Sequence, residues 1–333
     1  MPPTSPNGFR RRLVGLFVNL ALLLVSVGVV AGATEVVARL VYSRPWYEHL
    51  ADTQKQNEHL EYRMNSFGLR GDDFAVPKPP GERRVYMAGD SFTFGMGVAD
   101  IGQVMPSLVE RALNEGDSGP VDVLNAGMLR GSLPRHWLSK WHQVSGAYDP
   151  DVLLIVFFLR DGTKTGSIPA FFHVIRDEIT TRNQEDFWYR SSYLYRIFRD
   201  RLDRRLVAGE YTQDFQKAYF GAPEEQKEWV SAQYNVLELK RLAEERGATV
   251  GFVIYPILVD LKAETYPFDE ICSLLEDFAR RHDLPTLNLL PAFRGLSGPE
   301  LWVSPLDQHP NAAGHAVAAD AVTPFVAELL ASR

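Results

Sequence analysis

The order of apolar segments predicts an α/β protein whose parallel sheet is covered by helices on both faces. Three observations carry that expectation. Five short apolar runs, 83–88, 121–125, 151–158, 249–255 and 285–289, have the length and composition of strands. Between them lie segments with apolar residues at three- and four-residue spacing, the period of a helix packed along one face. A stretch free of charge, 13–34, precedes the array. Parallel strands need long crossover connections, and helices supply them while burying both faces of the sheet. The expected architecture is a flavodoxin-like three-layer α/β/α sandwich, preceded by an N-terminal transmembrane helix.

Residues 1–12 form a basic N-terminus that ends in Arg10, Arg11 and Arg12. Residues 13–34 are dense in Leu, Val and Ala, and at roughly 1.5 Å per residue they are long enough to cross a bilayer core. Basic residues on the near flank place residues 1–12 in the cytoplasm and everything after about residue 35 outside it. Ala31-Gly32-Ala33 has the small-residue pattern of a signal-peptidase site, so a cleaved signal competes with an uncleaved anchor. A soluble core helix is the poorest reading, because it would be less uniformly apolar. Residues 35–82 form a helical stalk and a turn-rich lead-in, with Asn65–Gly71 and Pro77–Gly81 carrying the turns.

Residues 83–333 hold the sheet. The segment 225–246 places Trp229, Ala232, Val236, Leu239 and Ala243 on one helical face, and Gly247 closes it. The segment 267–283 repeats the pattern with Phe268, Ile271, Leu274, Leu275 and Phe278. A final helix runs from about Ala312 to Leu330, with a kink expected at Pro324. Residues 162–224 fit the alternation poorly and form an insertion. Within it, Leu194, Phe198, Leu202 and Leu206 recur at four-residue spacing beside Arg196, Arg199, Arg201, Arg204 and Arg205. That basic amphipathic helix suits a membrane surface or an anionic glycan, or simply a solvated face on a packed helix.

Charge bounds the partners. A net charge of −7 with no basic motif gives no sign of nucleic-acid binding. The single cysteine, Cys272, sits in a helical pattern and reads as core packing. No His, Cys or acidic spacing points to a metal, and no motif points to a cofactor.

The chemistry-bearing residues are Ser91, His309 and Asp307. A short strand runs into Gly89-Asp90-Ser91, which leaves a serine at a strand's carboxyl end, where open α/β sheets place ligands. A serine becomes a nucleophile when a base takes its proton. His309 lies in a polar loop before the last helix, and Asp307 can hold its Nδ1 so that Nε2 is free to accept. Read blandly, Gly-Asp-Ser is a common turn and Asp307 caps a loop. His315 falls one turn into the helix as a packing or capping residue. His49, His59, His136, His142, His173 and His282 lack a comparable acidic partner.

Five ordered blocks resemble the SGNH/GDSL hydrolase family, in particular its membrane-anchored bacterial branch. They are Asn65–Gly71, Gly89–Gly95, Val123–Gly127, Phe157–Asp161 and Asp307–Asn311, and they span roughly residues 65–330 apart from the insertion. The resemblance implies Ser91 as nucleophile, His309 as base and Asp307 as its partner. It also implies an oxyanion hole from the Ser91 backbone, Gly131 and the position of Arg160, with Asn125, Gly127 and Arg130 available to substrate. Three features depart from the family pattern. Arg160 stands where the family has Asn, Gly131 falls one residue late with Arg130 at the usual offset, and Asp307 and His309 are two residues apart. The short spacing also occurs in relatives that acetylate or deacetylate exported polysaccharides.

Arg160 can donate to an oxyanion, select an anionic substrate together with Arg130, or form an ion pair with Asp90 or Asp161. The expected activity is a membrane-tethered extracytoplasmic serine esterase that removes acetyl or other short acyl groups from surface carbohydrate. Two alternatives share the residues: an O-acyltransferase acting on a cell-surface or exported polysaccharide, and a non-catalytic carbohydrate- or lipid-binding module.

Overall fold

A computed structural model of the chain describes residues 6–42, 60–116, 119–129, 133–163, 179, 181–304 and 307–332. The chain divides into two compact units, Met1–His49 with Ile175–Val207, and Leu50–Val174 with Ala208–Arg333.

The larger unit is built on five parallel strands: β1 Arg83–Gly89, β2 Val121–Gly127, β3 Val152–Phe158, β4 Thr249–Tyr255 and β5 Thr286–Asn288. Their order across the sheet is β2-β1-β3-β4-β5, the flavodoxin-like order, so the chain changes direction between β1 and β3. Every residue of β3 is buried. A central parallel strand is covered on both sides, which explains why Val152–Phe158 is a continuous apolar run without alternation. The helices that cover it are α2 Ser91–Phe94, α3 Met105–Glu115, α4 Pro134–Tyr148, α7 Lys227–Glu245, α8 Asp269–Arg281 and α11 Ala312–Ala331, with the single turns α9 Leu290–Phe293 and α10 Gly298–Leu301 before the last.

One face holds α4, α7 and α8. There Phe157 of β3 meets Trp137 and Trp229 edge-on, and Trp229 in turn meets Phe278. Such aromatic pairs add to the area they bury. The other face holds α3 and α11, where Gly251 of β4 lets Leu329 and Phe325 approach the strand. Pro324 lies inside α11 as expected. Cys272 is buried in α8, where loss of hydration pushes its thiol up to about 12, so it packs as an apolar residue.

The smaller unit contains α1 Pro6–Val41, α5 Phe187–Ser191 and the first half of α6 Tyr193–Phe220. Two elements outrun expectation. The first helix continues to Val41 rather than ending near Thr34, because Glu35 and Arg39 pair one turn apart and no breaker intervenes. The helix expected over Tyr193–Leu206 continues to Phe220 and belongs to both units.

Candidate active site

Strand β1 ends at Gly89, and the Asp90 carboxylate starts the next element by accepting the Phe92 backbone N–H at 2.8 Å. Ser91 is therefore the first residue of α2, at the carboxyl end of the sheet and at its switch point. The turn is tight. A Cβ on Gly89 would lie 2.1 Å from Thr93 Oγ1, and one on Gly127 would lie 2.1 Å from the Phe94 nitrogen. These glycines are neighbours across β1 and β2, and they let both strand ends press against α2.

The base comes from the far end of the chain. Short strand β6 Trp302–Ser304 pairs antiparallel with β7 Asp307–Pro310. The sequence reads this segment as a loop; pairing with β6 makes it a strand. That geometry explains the two-residue spacing, since side chains at i and i+2 of a strand share one face. Asp307 Oδ1 lies 2.5 Å from His309 Nδ1 and accepts the His309 backbone N–H at 3.1 Å. His309 Nε2 lies 2.9 Å from Ser91 Oγ. With Nδ1–H donated to the carboxylate, Nε2 is left to accept from the Ser91 hydroxyl. Phe92 walls the imidazole at 5.3 Å between ring centres and stacks on Phe158 at 3.8 Å. Asn311 then caps α11, accepting the Gly314 N–H at 3.1 Å while its amide donates to the Glu300 and Trp302 carbonyls.

Arg160 follows β3 in a tight turn, Leu159–Gly162, on the other side of the switch point. Its Nη2 donates to Asp90 Oδ2 at 3.1 Å, and that oxygen lies 3.5 Å from Ser91 Oγ. Asp161 Oδ1 is 3.9 Å away from the same nitrogen. Asp161 is fully enclosed; its Oδ2 accepts the Phe158 N–H at 2.8 Å, and Oδ1 has no hydrogen-bond partner among the described residues. Burial, with the charge of Asp90 added, pushes the Asp161 carboxyl far above the usual range, against the pull of Arg160. Asp90 and Arg160 pair directly beneath the serine. Of the readings open for Arg160, the ion pair is the one its contacts realise.

Asn125 is buried with its amide turned inward, donating to the Phe94 carbonyl at 3.3 Å and accepting the Gly127 N–H at 3.0 Å. Asn125 and Gly127 brace α2 against β2. Arg130 and Gly131 lie outside the described residues.

Sequence reasoning gave no separate role to Arg70. This guanidinium is almost wholly buried and closes the carboxyl end of α2, donating to the carbonyls of Phe94 at 2.9 Å, Gly95 at 2.7 Å and Val98 at 2.6 Å. Tyr62 covers it with a ring 4.7 Å away. Burial draws its pKa below the ordinary arginine value. The available signal was an arginine inside an otherwise small and apolar turn, Gly68-Leu69-Arg70-Gly71.

No family model matches the sequence, and no curated protein matches it. Solved structures do. A lipolytic protein of the G-D-S-L family from Desulfitobacterium hafniense aligns at 13% identity over 72% of this chain and 98% of its own, with a TM-score of 0.42. A lipase/acylhydrolase from Enterococcus faecalis aligns at 16% identity over 74% and 96%, with a TM-score of 0.43. An acetylxylan esterase from Geobacillus stearothermophilus aligns at 16% identity over 74% and 94%, also at 0.43.

Proposed function

We propose that the chain is a serine esterase, tethered by α1 to a membrane with its larger unit outside the cytoplasm. Its substrates would be short acyl esters, with acetyl groups on surface carbohydrate as the favoured class. One observation carries the reading: the continuous hydrogen-bonded series from Ser91 Oγ through His309 to Asp307, at 2.9 and 2.5 Å. The five family-like blocks support it, and all five, with Arg70, Ser91, Asn125, Arg160 and His309, meet around α2.

In the first half-reaction Ser91 Oγ attacks the ester carbonyl while its proton moves to His309 Nε2. Asp307 holds the resulting imidazolium. The oxyanion is met by the Ser91 backbone N–H, with Gly131 and a guanidinium N–H of Arg160 as the further donors. The tetrahedral species collapses, His309 returns the proton to the departing alcohol, and the acyl group stays on Ser91. Water, deprotonated by His309, then releases the acid and restores the serine. The pairing of Arg160 with Asp90 spends its charge internally, so that side chain does not select anionic substrates.

The test uses the full chain in detergent, esters of graded acyl length and a fluorophosphonate probe. The parent should label at Ser91 and prefer short acyl groups. Ser91→Ala should abolish labelling and lower turnover by at least about 10³. A folded parent that neither labels nor turns over any ester would mark a non-catalytic binding module. Acylated glycan formed in preference to free acid would mark an O-acyltransferase using the same serine.

A further inference from the structure

In the smaller unit, one carboxylate ties the apolar first helix to the start of α6. Glu35 accepts from Ser192 Oγ at 2.8 Å, from the backbone N–H groups of Tyr193 at 2.8 Å and Leu194 at 3.1 Å, and from Arg39 Nε at 3.1 Å. One heptad further along α1 the contact repeats. Tyr42 donates to Asp200 at 2.9 Å, and Tyr189 of α5 donates to the other oxygen of that carboxylate, also at 2.9 Å. The segment Tyr193–Asp200 therefore runs beside Glu35–Tyr42. The part of α1 that is long and apolar enough to cross a membrane is Val14–Val41, so α6 begins at the depth of that span's outer turns.

Large apolar side chains surround this corner and face outward: Phe187 is 67% exposed, Trp188 63%, Leu194 41% and Phe198 62%. On α6 the exposed stripe Leu194, Phe198, Arg201, Arg205 has helical spacing, apolar first and basic after. From Leu194 to Arg205 it rises about 16 Å, roughly the step from acyl chains through the headgroups. A helix terminus can enter the edge of a bilayer only if its free N–H groups find partners. Glu35 supplies them for α6, and Asp186 supplies them for α5 by accepting from Trp188 N at 2.8 Å and Tyr189 N at 3.2 Å.

We propose that the α5–α6 corner is a membrane-seated element. Phe187, Trp188, Leu194 and Phe198 enter the outer boundary of the bilayer that α1 crosses, and Arg201 and Arg205 meet lipid phosphates. Trp188 matches the belt that Trp and Tyr form at such boundaries, Phe187 and Phe198 supply the apolar face of an interfacial helix, and arginines can extend to the phosphate level from a helix anchored below. The chain would then hold its membrane through a span and a second, interfacial foot. This rests on reading α1 as a span.

The experiment uses the full chain with Cys272→Ala, which removes the only cysteine, reconstituted in phosphatidylcholine–phosphatidylglycerol vesicles. Single cysteines carrying a fluorescent label are placed at Leu24→Cys in α1, Leu194→Cys and Phe198→Cys in α6, and Val230→Cys on an exposed position of the larger unit. Lipids brominated at different depths should quench Leu24 from mid-chain. Lipids brominated near the headgroup should quench positions 194 and 198 about threefold more than position 230, with aqueous iodide giving the reverse order. If 194 and 198 answer to iodide like 230 while 24 is protected, the interfacial foot is wrong and the span stands. If 24 also answers to iodide, the span is wrong and the foot falls with it. Protection at 194 and 198 that vanishes on diluting protein in lipid would assign the patch to a second copy of the chain.

Discussion

At the residue scale the unusual feature is the set of charges beneath Ser91. Asp90, Arg160 and Asp161 lie in a site almost closed to water, where three uncompensated charges would be costly. Arg160 offsets the Asp90 carboxylate, and burial favours the neutral form of Asp161. Two outcomes follow. Asp161→Asn keeps an acceptor for the Phe158 N–H and mimics the protonated acid, so thermal unfolding should shift by less than about 0.5 kcal/mol. Arg160→Ala strands the Asp90 carboxylate and should cost about 3–5 kcal/mol in the same measurement. If Arg160→Ala instead kept its stability and lost only turnover, the tie to Asp90 would carry no stability and the oxyanion role alone would stand.

At the element scale, α2 is clamped from three sides. Asn125 and Gly127 hold it against β2, Asp90 caps its start, and Arg70 closes its end. A methyl at Gly127 would sit 2.1 Å from the Phe94 nitrogen, where backbone rather than a flexible side chain must yield. Gly127→Ala should therefore move Ser91 away from His309 and lower kcat by about 10² with the fold retained, measurable as ester turnover against circular dichroism. Arg70→Met fills similar volume but removes the donor to the buried Val98 carbonyl and one of two donors to the carbonyls of Phe94 and Gly95. Both stability and turnover should fall, by roughly 2–3 kcal/mol in unfolding free energy. The Asp307–His309 spacing also belongs to this scale, because a strand brings the two side chains onto one face.

At the scale of the whole molecule, His315 couples fold to pH. It lies fully buried in α11, and its Nδ1 accepts the Met105 N–H at the start of α3, joining the two helices of one face at 3.2 Å. Burial, with Arg70 and His309 nearby, lowers its pKa from 6.5 to about 3. Between those values the unfolded chain binds the proton and the folded one does not. The contribution is thus complete above about pH 6.5 and is lost as pH falls toward 3. From pH 7 to pH 5 the loss is roughly 2 kcal/mol. Asp161, whose carboxyl burial pushes upward, acts in the opposite sense, so the comparison must be with a variant. In urea unfolding at the two pH values, His315→Asn should lose about that much pH dependence relative to the parent.

The sequence by itself determined the alternation of strands and helices, the apolar first helix, the serine after β1 and the acid–histidine pair before α11. Each is written in a local period or in a short run of neighbours. Only the tertiary structure decided what those residues face. It brought His309 to Ser91 across 218 positions of chain, because β6 pairs with β7 beside the sheet's switch point. It turned Asn125 inward, gave Arg160 to Asp90, and recruited Arg70 to α2 and Glu35 to the start of α6. Partners like these are set by burial: a charge removed from water must find whichever group the fold brings near, and sequence spacing does not record which one that is.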